Sequence, residues 1–176
     1  RKSAGQHIEL GNGMTVRYFQ LMHLPQDVSV DCNRGVSGID GSLSTAIGAA
    51  CVSPRPVTLI IGDMGFQYDM SALATLFIPD NFRIIVINNS GGNIFRYIKN
   101  TRELPIMESY LASPVNVPVE QLARAFGFNY VKADSASSLE EALDLRLPRT
   151  IIEVVTNPVT DNKILTNYYK SCSYED

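Results

Sequence analysis

Short runs of β-branched and aliphatic residues alternate along the chain with segments in which apolar residues recur every three or four positions. Runs of the first kind predict buried strands, and spacing of the second kind predicts amphipathic helices. The predicted strands span residues 7–10, 28–32, 57–61, 83–88, 129–133 and 150–156. The predicted helices span residues 14–23, 41–52, 69–77, 119–126, 139–145 and 160–170.

Regular alternation of strand and helix is typical of a doubly wound α/β sandwich, in three layers, with a mostly parallel six-stranded sheet. The chain has 176 residues, of which 45% are hydrophobic, and this suits one domain, 1–176, with a substantial core. Its first residue is Arg1 rather than Met. We therefore expect this domain to be a fragment of a longer protein.

Charge and composition exclude several classes of partner. The net charge is −3, and no run of Lys or Arg is present to follow the phosphates of a nucleic acid. No apolar run approaches the roughly 20 residues that a membrane helix needs. The three cysteines form no CxxC pair, which favours a reducing compartment, so we expect a cytoplasmic protein.

Glycine-rich loops follow four of the predicted strands. Their sequences are GNGM (11–14), NRGVSGIDGS (33–42), GDMGFQYD (62–69) and NNSGG (88–92). Ligands of open α/β sheets bind beyond the carboxyl ends of the strands, and glycine lets the backbone approach a ligand closely. The four loops together predict a binding site for an anionic ligand.

Asp63 and Asn89 end two successive strand–helix units, so we expect their side chains to converge. A carboxylate, an amide oxygen and the carbonyl of Gly91 suit Mg²⁺, which takes six oxygen ligands and often draws several from phosphate and water. Taken alone, Asp63 is equally compatible with a helix cap, and Asn89 is more often an ordinary turn residue. The combination predicts a magnesium–diphosphate site.

The stretches Gly62-Asp63 and Asn88-Asn89 resemble the GDG-to-NN signature of thiamine-diphosphate enzymes. The longer stretches NRGVSGIDGSLSTAIGAA, GDMGFQYDMSAL and NNSGGNIF are similar to those of the menaquinone-pathway synthases within that family. The resemblance runs from about Gly11 to the carboxyl end, and it implies the diphosphate-binding domain that ends the full enzyme.

The resemblance implies thiamine diphosphate and Mg²⁺ (or Mn²⁺) as cofactors. It makes Asp63, Asn89 and the carbonyl of Gly91 the metal ligands. A bulky apolar residue, here Ile39, bends the cofactor in this family, although an ordinary core anchor is an equal reading of that residue. The implied cofactor-binding residues are Asn12, Gly13, Ile39, Met64 and Gly65. Gly13 departs from the family pattern, since many relatives have Ser there.

The implied reaction is that of a transferase, which decarboxylates 2-oxoglutarate and adds the succinyl unit to isochorismate. Arg17 and Arg34 match arginines that hold substrate carboxylates, for which planar guanidinium groups are well suited. Phe95 and Ile98 match apolar residues of the same pocket. As isolated residues, these four are also compatible with surface charges and with the packing of a short helix.

No catalytic residue is expected in this chain. In the family, a glutamate from an amino-terminal pyrimidine-binding domain, usually of another subunit, activates the cofactor. None of the glutamates here lies in a motif that resembles that domain. The resemblance therefore implies a homo-oligomer when the protein is full length, and a fragment that is inactive alone.

Two alternatives remain open from the sequence. The domain could belong to another thiamine-diphosphate enzyme, of the acetolactate synthase or oxoacid decarboxylase type, or it could be a non-catalytic, flavodoxin-like phosphate-binding module. Neither a GxxxxGK[ST] loop nor a GxGxxG fingerprint is present. A hydrolase is poorly supported, because His7 and His23 are the sole histidines and no GxSxG elbow exists.

Overall fold

The computed structural model describes residues 5–172, and within them six strands form one sheet in which every pair is parallel. The strands are β1 (His7–Leu10), β2 (Ser29–Cys32), β3 (Val57–Gly62), β4 (Phe82–Asn88), β5 (Asn129–Ala133) and β6 (Thr150–Val155). Their order across the sheet is β2-β1-β3-β4-β6-β5. The predicted α/β fold is confirmed, and the described sheet is entirely rather than mostly parallel.

Helices connect the strands and cover both faces of the sheet. They are α1 (Met14–Phe19), α2 (Ser42–Val52), α3 (Asp63–Tyr68), α4 (Ile94–Tyr97), α5 (Lys99–Arg102), α6 (Val119–Ala125), α7 (Ala136–Asp144) and α8 (Pro158–Cys172). A 3₁₀ turn spans Met70–Ala74, and one π-helical segment spans Met107–Ala112. Within residues 5–172, none of the helices is both long and apolar enough to pass through a membrane.

The core is centred on β3, β4 and β6. These strands are nearly continuous apolar runs because helices cover both of their faces. Leu59, Ile84 and Ile151 are fully buried in the larger cluster, while Ala142 packs with Ile152 in a smaller one. This rigid centre fixes the positions of the strand ends, and hence of the loops that follow them.

The predicted helix at residues 69–77 is wrong. Helix α3 begins at Asp63, directly after β3, and a short 3₁₀ turn replaces the expected helix. Asp69 accepts hydrogen bonds from the backbone N–H and the hydroxyl of Ser44, both at 2.7 Å. The carboxylate therefore caps the start of α2, and this contact between distant residues overrides the local helical pattern.

Two other differences from the sequence-based expectation exceed three residues. Helix α1 ends at Phe19, four residues before the predicted end at residue 23, because the chain tightens into turns there and then reaches Pro25. No strand or helix is predicted between residues 89 and 118, yet this region contains α4, α5 and the π-helical segment.

Candidate functional site

The loops that follow β1, β3 and β4 surround a cleft of about 350 Å³. The chain moves from β1 to β2 on one side and then to β3 on the other, so the cleft lies beside a topological switch point of the sheet. Segment 37–39 and helix α4 close its sides. A cavity therefore lies at the carboxyl ends of the strands, where the glycine-rich loops predict a ligand site.

Asp63 and Asn89 both line this cleft. Asp63 is 1% exposed, and its Oδ2 accepts a hydrogen bond from the backbone N–H of Gly91 at 2.9 Å. Asn89 is 7% exposed, and its buried Oδ1 has no hydrogen-bond partner among residues 5–172. The structure thus brings the two side chains to one cavity and leaves there a buried acceptor that a cation would satisfy.

Opposing effects act on the Asp63 carboxyl group. Burial raises its pKa, whereas backbone N–H groups, foremost that of Gly91 and then that of Met64, act to lower it. The Met64 N–H lies 2.7 Å from Oδ1. A divalent cation near the carboxylate would add a third effect, since a nearby positive charge favours the ionised form.

Gly91 occupies a backbone position that a side chain could not share. Its φ is +135°, and a Cβ atom there would lie 2.5 Å from the carbonyl oxygen of Ala112. The Gly91 carbonyl accepts a hydrogen bond from the N–H of Asn93 at 2.9 Å. Because a carbonyl oxygen has two lone pairs, one remains for a metal ion.

The first glycine-rich loop reaches the cleft through Asn12 and Gly13. The amide of Asn12 donates to the carbonyls of Asn33 at 2.7 Å and Gly38 at 2.6 Å, so this side chain holds the second loop in place. Gly13 has a φ of +113°, which disfavours a side chain there even though the space is open. Both residues therefore offer backbone rather than side chain to a ligand.

Ile39, Met64 and Gly65 line the same cleft. A Cβ atom on Gly65 would lie 3.2 Å from the carbonyl oxygen of Ile39, so glycine here allows the loop that carries Ile39 to approach α3. The N–H of Met64 is already donated to Asp63. Of the two predicted backbone contacts on α3, that of Met64 thus competes with a hydrogen bond present in the structure.

An adjoining cleft of about 410 Å³ contains all four predicted substrate-binding residues. They are Arg17, Arg34, Phe95 and Ile98. The two clefts share five lining residues: Gly13, Ser37, Ile39, Ile94 and Phe95. The cavities therefore meet at a boundary formed mainly by apolar side chains. The Arg34 guanidinium also donates to Oδ1 of Asn12 at 3.0 Å, which links the arginine to a residue of the first cleft.

Several lining residues were not identified from the sequence. They are Thr15, Tyr18, Ser37, Asn93 and Leu111. The helical spacing of Tyr18 from Met14 could have identified it, since the two lie one turn apart on α1. Leu111 reaches the cleft from the π-helical segment, and no local pattern signals that placement.

Glutamates and histidines lie away from both clefts. No glutamate within the described part of the chain lines either cavity. His7 lies at the amino end of β1, where its ring contacts the hydroxyl of Ser29 at 2.8 Å and the carboxylate of Glu9 at 3.2 Å. The ring thus has partners on the sheet, at the end opposite the cleft.

A family match and similar curated proteins point to the same kind of enzyme. Residues 11–154 match the family described as thiamine pyrophosphate enzyme, C-terminal TPP binding domain. The chain is 42% identical over 167 residues to a 2-succinyl-5-enolpyruvyl-6-hydroxy-3-cyclohexene-1-carboxylate synthase of Flavobacterium johnsoniae, covering 93% of this chain and 30% of that protein. The corresponding synthase of Christiangramia forsetii is 36% identical over 167 residues, which cover 92% of this chain and 29% of the synthase.

A more distant relative, the synthase of the same name from Desulfotalea psychrophila, is 35% identical over 158 residues. That match covers 88% of this chain and 29% of the relative. The chain therefore spans about 30% of the length of the curated relatives it matches.

Proposed function

This chain belongs to the thiamine pyrophosphate enzyme family through its C-terminal TPP-binding domain, and from that premise we propose that it works as part of a 2-succinyl-5-enolpyruvyl-6-hydroxy-3-cyclohexene-1-carboxylate synthase. The cofactor is thiamine diphosphate, which supplies the electron sink for decarboxylation when bound. The substrates are 2-oxoglutarate and isochorismate, and the enzyme is a transferase of menaquinone biosynthesis.

The metal ligands are Asp63, Asn89 and the carbonyl of Gly91, and the metal is Mg²⁺ or Mn²⁺. One observation carries this proposal: Asn89, whose buried Oδ1 lacks a partner in the described structure, lines the same cleft as the buried residue Asp63. Oxygen ligands of this kind suit a hard divalent cation that also binds phosphate oxygens. The residues present therefore fit the cofactor.

The remaining residues of the first cleft hold the organic cofactor. Gly13 and Gly65 present backbone to the diphosphate, with Asn12 and Met64 beside them. Ile39, at the boundary of the two clefts, supports the cofactor ring where it meets the substrate pocket. A contact that orients the reacting groups can lower a reaction barrier by several kcal/mol, on the order of the effect of proximity.

Arg17 and Arg34 bind substrate carboxylates in the second cleft. Both lie in the cavity that adjoins the cofactor cleft, and both substrates carry two carboxylates. Phe95 and Ile98 form the apolar wall of that cavity. We expect a dicarboxylic acid to bind with its carboxylates at the arginines and its reacting carbon toward Ile39.

The activating glutamate comes from an amino-terminal pyrimidine-binding domain of the same enzyme, in a partner subunit of a cytoplasmic homo-oligomer. Two points support this proposal: no glutamate of residues 5–172 lines either cleft, and the relatives are about three times as long as this chain. The chain alone is then expected to bind cofactor but not to turn over substrate. Turnover above background by the purified chain would contradict this part of the proposal.

Calorimetry tests the cofactor assignment. We expect the chain to bind thiamine diphosphate when Mg²⁺ is present, and to bind ATP and flavin mononucleotide much more weakly. Asp63→Asn and Asn89→Ala should each weaken binding by about tenfold or more, because each removes an oxygen ligand or its charge. Gly48→Ala, within α2 and outside both clefts, serves as the matched control.

Three results would overturn the proposal. They are equal affinity for all three ligands, binding that persists unchanged in excess EDTA, and unchanged affinity in the two site variants. For the substrate pocket, Arg34→Ala should weaken binding of 2-oxoglutarate to the loaded chain, as measured by ligand-detected NMR. Equal binding by Arg34→Ala and the parent chain would remove Arg34 from the site.

A further inference from the structure

Two residues that line the proposed cofactor cleft each have a buried polar atom without a hydrogen-bond partner among residues 5–172, one an acceptor and the other a donor. Oδ1 of Asn89 is a hydrogen-bond acceptor, and Nδ2 of Asn93 is a donor; neither has a partner among the described residues. Both residues line the cleft, and Asn93 is 3% exposed. Buried polar groups are nearly always paired, so two orphans at one cavity indicate a ligand that supplies both missing partners.

The orientation of the Asn93 amide is set from outside the cleft. Its Oδ1 accepts a hydrogen bond from Nδ2 of Asn162, on α8, at 2.8 Å. Its backbone N–H donates to the Gly91 carbonyl at 2.9 Å, which fixes the base of the side chain. With the oxygen held by α8, the NH₂ group is the part of the side chain that remains for a ligand.

Helix α8 is itself attached to the elements around the site. Thr156, just after β6, donates its hydroxyl to the carboxylate of Asp161 at 2.7 Å. The ring of Tyr169 lies 6.0 Å from that of Tyr97 on α4. Asn162 is therefore carried by a helix with independent contacts to the residue that follows β6 and to α4, and its own Oδ1 has no partner among residues 5–172.

We propose that Asn93 is a further cofactor-binding residue, which donates from Nδ2 to a diphosphate oxygen, and that Asn162 is a positioning residue that acts through it. This inference rests on the proposed function. A metal–diphosphate pair has a cation for the acceptor on Asn89 and an anionic oxygen for the donor on Asn93, so it satisfies both orphans at once. Neither a free metal ion nor a free anion would do so.

The test compares binding of two probes by calorimetry in the presence of Mg²⁺: thiamine diphosphate and inorganic pyrophosphate. Asn93→Ala should weaken both by a similar factor, about tenfold or more, the range for a hydrogen bond to a charged group. Asn93→Asp should weaken both further, because a carboxylate would face the diphosphate. Asn100→Ala, an exposed asparagine on α5 outside both clefts, is the matched control and should bind like the parent chain.

Asn162 is tested by a double-mutant cycle. Asn162→Leu should weaken both probes less than Asn93→Ala does, because the Asn93 amide survives but loses its fixed orientation. The double variant should bind no more weakly than Asn93→Ala alone, since the two residues act through one contact. Additive losses would show that Asn162 acts independently of Asn93 and would overturn the positioning role.

The outcomes separate this inference from the proposed function. If the parent chain binds neither probe, the proposed function fails. If the parent chain binds both and Asn93→Ala binds within twofold of it, the inference alone fails. Tighter binding by Asn93→Asp would show that the amide presents an acceptor to the metal, and a loss confined to thiamine diphosphate would place the contact away from the diphosphate; each overturns the assignment.

Side-chain NMR of the unmodified chain removes any dependence on how the variants fold. The NH₂ signals of Asn93 should shift when Mg²⁺ and pyrophosphate are added together, and much less when either is added alone. Asn100 provides the internal reference, because its exposed NH₂ signals should stay in place. Signals of Asn93 that do not move under conditions where calorimetry shows binding would refute the contact.

Discussion

At the scale of single residues, Gly91 and Asn89 are the informative positions of the proposed cofactor cleft. Gly91 lacks a side chain because the carbonyl of Ala112 occupies that space, and Asn89 lacks a partner for its buried oxygen. Glycine tolerates its position, whereas a buried acceptor without a partner would destabilise an ordinary loop. Unsatisfied buried groups are rare in packed structures, so the Asn89 oxygen supports the ligand-binding role of the loop after β4.

Gly91→Ala should therefore damage both stability and binding. The alanine would have to keep the φ of +135°, and its methyl group would have to displace the Ala112 carbonyl. The expected cost is about 2–4 kcal/mol in the free energy of unfolding. Urea denaturation measures this cost, and calorimetry should show weakened binding of thiamine diphosphate.

Gly48→Ala provides the contrast to Gly91→Ala. No atom lies within 4 Å of the position of its added Cβ, and Gly48 is within helix α2. This variant should be more stable than the parent chain by about 0.5–1 kcal/mol, the difference in helix propensity between the two residues. Equal effects of the two substitutions would contradict the steric argument at Gly91.

At the scale of elements, the start of α2 depends on a residue from another part of the chain. Asp69 accepts two hydrogen bonds from Ser44 and is itself buried. A carboxylate at a helix N-terminus satisfies exposed N–H groups and interacts favourably with the helix dipole. The contact joins α2 to the segment that follows α3, and so joins the second and third glycine-rich loops.

Asp69→Ala is expected to lower the free energy of unfolding by about 1–2 kcal/mol, as loss of an N-terminal cap does. Ser44→Ala should cost less, because the backbone N–H of residue 44 can still donate to Asp69. Urea denaturation of the two variants and the parent chain measures this order. A larger loss from Ser44→Ala than from Asp69→Ala would show that the cap is not the source of the stability.

Helix α8 contributes a pH dependence. Burial raises the pKa of Asp161, and the hydrogen bond from Thr156 only partly opposes this. The folded chain thus binds this proton more tightly than the unfolded chain does, so the Asp161 contribution to stability is largest at low pH. It is lost as pH rises from the ordinary aspartate pKa through the raised value.

Asp161→Asn should remove the loss of stability that ionisation of Asp161 causes. The variant should therefore gain stability relative to the parent chain as pH rises from about 3.5 to 7. Glu108→Gln supplies a control of opposite sign. The hydrogen bond from Arg96 lowers the pKa of Glu108, so its contribution is present at neutral pH and is lost as pH falls. Chemical denaturation across this pH range measures the stability of the two variants and the parent chain. Parallel curves of stability against pH for all three proteins would contradict the pKa shifts assigned to Asp161 and Glu108.

The elements that the sequence predicted well are those decided by local pattern. Strands β1 and β5 have the predicted bounds, because β-branched and apolar runs between turn residues specify a buried strand without help from distant contacts. The helix predicted at 69–77 failed because Asp69 bonds to Ser44, a contact between residues 25 positions apart. Asn93 was missed for the same reason, since its partner Asn162 lies on α8.

At the scale of the molecule, the order of the strands brings the candidate site together. Loops that are far apart in sequence meet because β1, β3 and β4 are neighbours and parallel, so their carboxyl ends share one edge. The positions of the proposed metal ligands thus depend on the packing of the whole sheet, and binding should in turn stabilise the whole domain. A ligand that binds the folded but not the unfolded chain raises the unfolding temperature as the ligand concentration rises.

We therefore expect Mg²⁺ and thiamine diphosphate, at about 100 times the dissociation constant, to raise the unfolding temperature by about 5–10 °C. This follows from about 2.7 kcal/mol of linked stabilisation at that ligand excess. Differential scanning calorimetry measures the shift, which should disappear in EDTA and in Asp63→Asn but persist in Gly48→Ala. A shift that survives EDTA would show that thiamine diphosphate binds without the metal. A shift that survives in Asp63→Asn would show that the Asp63 carboxylate is not required to bind the metal.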